Sequence, residues 1–250
     1  MNRIAFRKMF KTVGPVVLPV IHVLDEEQAE RNVRVLVAAG APGCFLINHD
    51  HGVERFLPII THVRRRFPAL WLGVNFLAVT GLQAFPVLYR LQQAGVTVDG
   101  YWADDARIDE HSPADGQAEA QEIRQVLQTC GWSGFYTGGT CFKKQREVDP
   151  SHHETAARLA TGFMDAVCTS GIATGRAADL DKIRAFRHGI GEHALLLASG
   201  ITPDNARQYI DDVDGFMVAT GINRDQDFYN LDPGKLARLL ELTRHEGAVR

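Results

Sequence analysis

Short apolar runs recur along this chain at a steady pace, and each is followed by an amphipathic stretch with helix-capping residues. The runs are Val16–Val23, Cys44–Asn48, Trp71–Leu77, Val98–Ala103, Gly134–Thr137, Ala166–Thr169, Leu195–Ala198 and Phe216–Ala219. Their near-continuous apolar character suits strands buried on both faces of a parallel sheet. Between them, Asp25 precedes the acidic turn Glu26-Glu27-Gln28, and Gly40 closes that segment. Val53–Phe67 reads as a helix stopped before Pro68, Gly81–Ala94 as a helix kinked or delayed by Pro86, and Ala118–Cys130 as a helix ended by Gly131. Ser151–Phe163 and Asp179–His188 follow, and Thr202-Pro203 and Asp232-Pro233 each place a cap and a first-turn proline before a last pair of helices. Eight strands alternating with about eight helices in 250 residues are the pattern of an α/β protein, a single (β/α)8 barrel spanning residues 1–250. An open doubly wound sheet is the rival, but no glycine-rich fingerprint follows the first strand. No linker and no convincing short repeat breaks the pattern.

Composition narrows the partners. The formal net charge is −3, with both signs spread along the chain, which gives no polybasic tail for nucleic acid and no basic patch for a membrane surface. The four cysteines (Cys44, Cys130, Cys141, Cys168) form no CxxC pair, so a reducing, cytoplasmic setting is the simplest reading. Val13–Leu24 is apolar but short, and it carries Gly14, two prolines and His22, which makes it a buried first strand rather than a membrane insertion. A homo-oligomer is compatible with this composition.

In a (β/α)8 barrel, chemistry gathers at the C-terminal ends of the strands. Those ends are polar here. His22 ends the first strand, Asn48-His49-Asp50-His51 the second, Asn75 lies in the third, and Asp104-Asp105 end the fourth. His22 and one of the two aspartates are the candidate acid and base, because adjacent residues point apart and only one faces a ligand. Asn48 and Asn75 are placed to orient substrate. His49, Asp50 and His51 form an alternative divalent-metal site for hydrolysis; otherwise they are a solvated loop in which Asp50 caps the following helix. Lys143-Lys144, with Arg146, follows the fifth strand and could clamp a phosphate, or equally be a surface run.

The last three strands each run into a turn of glycine and hydroxyl residues: Thr169-Ser170-Gly171 with Thr174-Gly175, Ser199-Gly200, and Thr220-Gly221. The second leads into Thr202-Pro203-Asp204-Asn205, a helix start. Glycines allow close backbone approach and helix N-termini attract anions. Together Ser170, Gly171, Thr174, Ser199, Gly200, Thr220 and Gly221 read as a site for a phosphorylated small molecule, a sugar phosphate or phosphoribosyl compound. Isomerase, lyase and glycosyl or phosphoribosyl transfer all fit.

Met164–Leu180, read as MDAVCTSGIATGRAADL, resembles the "DAVIVSG-x-x-TG-x-x-x-DL" segment of the BtpA family. Val20-Ile21-His22 is similar to that family's "GVIHL" opening, Leu72–Asn75 to its "LGVN", and Ser199–Asn205 and Asp214–Val218 to its closing segments. The resemblance implies a TIM-barrel fold. It implies little about reaction, since the family is associated with photosystem I assembly and, more loosely, with sugar or phosphoribosyl chemistry. The non-catalytic assembly factor or ligand-binding barrel therefore stands as a further alternative. The chain departs from the family's pattern after His22, at Asn48–His51 and at Thr220–Asn223, so a substrate unlike that of photosynthetic members is expected.

Overall fold

The computed structural model describes residues 1–143 and 145–248, the side chains of 245–248 excepted. Among these residues the strands β1 (Val16–His22), β2 (Gly43–Ile47), β3 (Trp71–Asn75), β4 (Gly100–Ala103), β5 (Phe135–Gly139), β6 (Ala166–Ser170), β7 (Ala194–Ala198) and β8 (Gly215–Val218) are all parallel. They form a closed barrel in chain order, with β8 returning to β1 at Val16↔Gly215. Closure excludes the open-sheet rival. The apolar runs are buried on both sides, which is why they lack alternation: one face fills the barrel and the other meets the helices.

The helices are α1 (Arg3–Met9), α2 (Glu26–Ala38), α3 (Val53–Arg66), α4 (Gly81–Gln93), α5 (Ala118–Thr129), α6 (His153–Ala160), α7 (Leu180–Ile190) and α8 (Pro233–Ala248). Asp25 caps α2 as expected, its carboxylate accepting from the Gln28 N–H at 2.7 Å. Pro86 lies within an unbroken α4. Cys44 and Cys168 are buried in β2 and β6, and burial pushes the Cys44 thiol up to about 12. No described helix is long and apolar enough to cross a membrane.

Two local expectations are corrected. Thr202-Pro203 does not open an α-helix; a 3-10 turn at Ala206–Tyr209 is all that follows. Asn205 takes the role of the missing helix, accepting from the Thr202 N–H at 2.8 Å and donating to the Gly200 carbonyl at 2.8 Å. The cap of α3 is Gly52, not Asp50, whose carboxylate is engaged elsewhere. The basic N-terminal segment forms α1, capped by Asn2, and its Phe6 and Phe10 join the interior cluster that contains Val16, Leu18 and Phe135.

One residue type recurs where strands enter the barrel. Asp99, Asp165 and Asp214 directly precede β4, β6 and β8. Each donates its N–H to one residue of the preceding strand, Leu72, Tyr136 or Leu195, at 2.8–2.9 Å. Each carboxylate accepts from that same residue's N–H, at 2.8, 2.9 and 3.0 Å. This two-point clasp sets the register of three neighbouring strand pairs. Asp214 is fully buried and also receives Arg3 at 2.8 Å, Arg7 at 3.1 Å and Arg187 at 2.7 Å.

On the outside, Glu30 of α2 joins α3 through His62 at 2.6 Å and Arg66 at 3.1 Å, with Arg34 beside it. Hydrogen bonds from Arg34, His62 and Arg66 hold its carboxyl down at about 2, against an ordinary 4.5. A depressed folded-state pKa stabilises fully above the unfolded value and less as pH falls through the folded one. Glu30→Gln is therefore expected to lower stability at pH 7 and to flatten its decline between pH 4.5 and 2; urea titrations of both proteins across that range check it.

Candidate functional site

A cavity of about 420 Å³ opens at the C-terminal mouth of the barrel. Its floor is apolar, made by Val20, Ile47, Trp102, Ala198 and Met217 from five strands. The rim is polar and divided. Lys143, Thr174, Ser199 and Thr220 come from the loops after β5, β6, β7 and β8; His22, His49, Asp104, Asp105 and Arg107 come from the ends of β1, β2 and β4.

The first set is held by tight stacking of loops. A Cβ on Gly200, whose φ is +70°, would overlap the Arg176 carbonyl oxygen, and one on Gly221 would overlap that of Ile201. A Cβ on Gly171 would lie 2.7 Å from the Arg176 oxygen. Gly171, Gly200 and Gly221 thus stand behind the cavity wall and let each loop lie on its neighbour. What reaches the cavity is the residue beside the glycine. Ser199 Oγ accepts from the Gly175 N–H at 3.2 Å, and Lys143 Nζ donates to Thr174 Oγ1 at 3.3 Å. Ser170 is also behind the wall: its hydroxyl accepts from the Lys143 N–H at 2.8 Å and donates to the Gly171 carbonyl at 2.8 Å, tying the β5 and β6 loops together. Lys144 lies outside the described residues.

Lys182 of α7 was not foreseen. Its ammonium donates to the carbonyls of Cys141 at 2.5 Å and Ser170 at 2.8 Å, so it fastens the same two loops from behind, and burial lowers its pKa.

On the other side both aspartates line the cavity, which corrects the expectation that only one would. Asp105 accepts from the Arg107 N–H at 2.8 Å in a turn that puts Arg107 at φ +60°, and its carboxylate lies 3.4 Å from the Arg107 guanidinium. Asp104 is the more firmly set. Its carboxylate accepts from Asn75 Nδ2 at 3.2 Å and the Ala78 N–H at 3.3 Å, and its carbonyl from Gln145 Nε2 at 2.5 Å. Asn75 is fully buried and touches Asp104 rather than the cavity. Asn48 is likewise internal, accepting from the Leu77 N–H at 3.0 Å and donating to the His51 carbonyl at 2.7 Å. The two asparagines brace the ends of β2, β3 and β4.

His22 is 8% exposed and lies against Phe228, ring centroids 3.9 Å apart and planes tilted by 33°. His49 meets both rings edge-on. His49, Asp50 and His51 do not converge. His51 turns toward Phe56, and Asp50 accepts from the Tyr229 hydroxyl at 2.9 Å, a bond that holds its carboxyl below the usual range. Among the described residues no three His, Cys, Asp or Glu side chains are grouped to hold a metal ion. Phe228 and Tyr229 come from the long loop after β8. Nothing in their sequence neighbourhood marks them as parts of a site that begins at β1.

The fold and this mouth define a (β/α)8 barrel whose cavity has a lysine and hydroxyls on one rim and two histidines, two aspartates and an arginine on the other. Residues 142–245 match the model of the BtpA family, so the resemblance read from the motifs holds over the segment that forms the β5–β8 rim. The chain is 26% identical over 181 residues to the uncharacterized protein F13E9.13, mitochondrial, of Caenorhabditis elegans, which covers 70% of this chain and 62% of that one. It is 37% identical over 84 residues to the uncharacterized protein TK2179 of Thermococcus kodakarensis, covering 33% of this chain and 32% of that one. The matches thus span less than two thirds of either relative. Among solved structures, phosphoribosylanthranilate isomerase from Thermotoga maritima superposes with a TM-score of 0.62 at 14% identity, over 92% of this chain and 99% of that one. A KDPGal structure superposes at 0.61 and 14%, over 94% and 96%. At such identities the likeness is one of fold.

Proposed function

We propose that the barrel mouth is an enzyme site for a phosphorylated small molecule, a sugar phosphate or phosphoribosyl compound. The observation that carries this reading is the convergence of one ammonium and three hydroxyls, from Lys143, Thr174, Ser199 and Thr220, on the cavity that His22 and Asp104 also line. A phosphate dianion takes charged and neutral donors together, and the loops after the last strands of such barrels commonly supply them. The match of the segment bearing these loops to the BtpA family model and a fold shared with phosphoribosylanthranilate isomerase agree with it. On the far rim Asp104 is an ionisable acceptor fixed by Asn75, suited to take a proton, and His22 is an imidazole suited to give one. Proton transfer of this kind begins an isomerisation, a lyase cleavage or a glycosyl transfer.

Isothermal titration of ribose 5-phosphate tests the anion end. Lys143→Met is expected to weaken binding by about 10- to 100-fold, the worth of a hydrogen bond to a charged group. Equal affinity in both proteins, or none in the wild type, would refute the assignment.

A further inference from the structure

A sugar phosphate is polar at nearly every position, and this cavity is not. Besides its apolar floor it is walled by Phe142, Leu77 and Phe228, and three of its lining residues, Trp102, Phe142 and Phe228, are aromatic. At about 420 Å³ it falls within the range of pockets that enclose whole drug-sized ligands. Lys143, Thr174, Ser199 and Thr220 account for a phosphate on the β5–β8 rim. The apolar wall, whose Phe228 ring already leans on His22, offers its remaining surface to an apolar body on the ligand rather than to a sugar's hydroxyls.

Phe228 is the most firmly placed part of that wall. Its carbonyl accepts from Asn223 Nδ2 at 2.9 Å. The next residue is anchored to two elements: the Tyr229 carbonyl accepts from Gln28 at 2.7 Å and Asn32 at 2.9 Å on α2, and its hydroxyl reaches Asp50 after β2. Asp227 accepts from the Tyr229 and Asn230 N–H groups at 2.8 and 3.0 Å. So many hydrogen bonds around one half-buried turn hold an aromatic ring over β1 and β2, against His22. In the closed strand order, that is across the barrel from β6. A ring fixed before binding loses little freedom when a flat partner packs on it.

We infer that the ligand is a phosphomonoester whose body ends in an aromatic or similarly flat apolar group, with the phosphate on the Lys143 rim and the flat group against Phe228 and His22. This rests on the phosphate reading above and adds the chemistry of the ligand's other end. Titrations with inorganic phosphate, ribose 5-phosphate and 1-naphthyl phosphate test it, each in the wild type, Phe228→Ala and Phe228→Leu, with circular dichroism to confirm folding. 1-Naphthyl phosphate is expected to bind about tenfold more tightly than ribose 5-phosphate and to compete with it, one aromatic contact being worth about that factor. The ratio between the two should collapse toward one in Phe228→Ala; Phe228→Leu, which keeps apolar bulk but no flat face, should lie between. A naphthyl ester no tighter than ribose 5-phosphate, or a preference that survives both substitutions in folded protein, overturns the inference. Failure of all three compounds to bind would instead overturn the phosphate reading beneath it.

Discussion

Replacing Asp214 with alanine is expected to lower the free energy of unfolding by about 3–5 kcal/mol, the cost of removing one partner from a buried ion cluster. The carboxylate is fully buried and three guanidiniums, Arg3, Arg7 and Arg187, converge on it. Without it the three guanidiniums lose the carboxylate they share, and the Leu195 N–H loses its acceptor. The effect should extend past β8, because Arg3 and Arg7 belong to α1 and Arg187 to α7. Asp214→Asn keeps a hydrogen-bond acceptor for Leu195 and should cost less than alanine. Urea unfolding monitored by tryptophan fluorescence gives both values; a loss below about 1 kcal/mol for the alanine variant, a surface ion pair's worth, would show that the cluster is not a structural clasp.

The second large effect is expected at Gly200. Alanine there must adopt φ +70° and also place its Cβ onto the Arg176 carbonyl. The backbone conformation costs about 1–2 kcal/mol and the overlap about 1–3 kcal/mol more. Gly95, which closes α4 at φ +78° with nothing within 4 Å of its would-be Cβ, isolates the first cost. Gly95→Ala should therefore destabilise by the smaller amount only. Gly200→Ala should in addition weaken ribose 5-phosphate binding, because the β6 and β7 loops that carry Thr174 and Ser199 can no longer lie together. If the two variants lose the same stability and Gly200→Ala binds normally, the loops are not stacked as described.

Much of this architecture was legible in the residues. Every strand core fell where an apolar run stood, since a strand buried on both faces must be apolar throughout, and that is a local property. The polar ends of the strands likewise marked the mouth, and His22, Asp104, Lys143, Thr174, Ser199 and Thr220 line one cavity as the barrel pattern requires. The clasps at Asp99, Asp165 and Asp214 were not legible, because they fall at unequal intervals and look like ordinary turn aspartates until their strands are paired. α1 was missed too: its few apolar residues make sense only once there is a barrel for Phe6 and Phe10 to pack into.

The opening pattern of strands and helices, then, follows from the order of apolar and polar residues along the chain, because burial and capping are decided within a few positions. The division of labour at the mouth does not. The glycines that read as a cradle for an anion have their would-be Cβ positions against other loops, while Thr174, Ser199 and Thr220 line the cavity. Asp50 is taken up by Tyr229, and Phe228 arrives from the far end of the chain to cover His22. Each of these depends on contacts between segments that meet only when β8 closes on β1, and no local pattern records which side of a turn that closure will leave open.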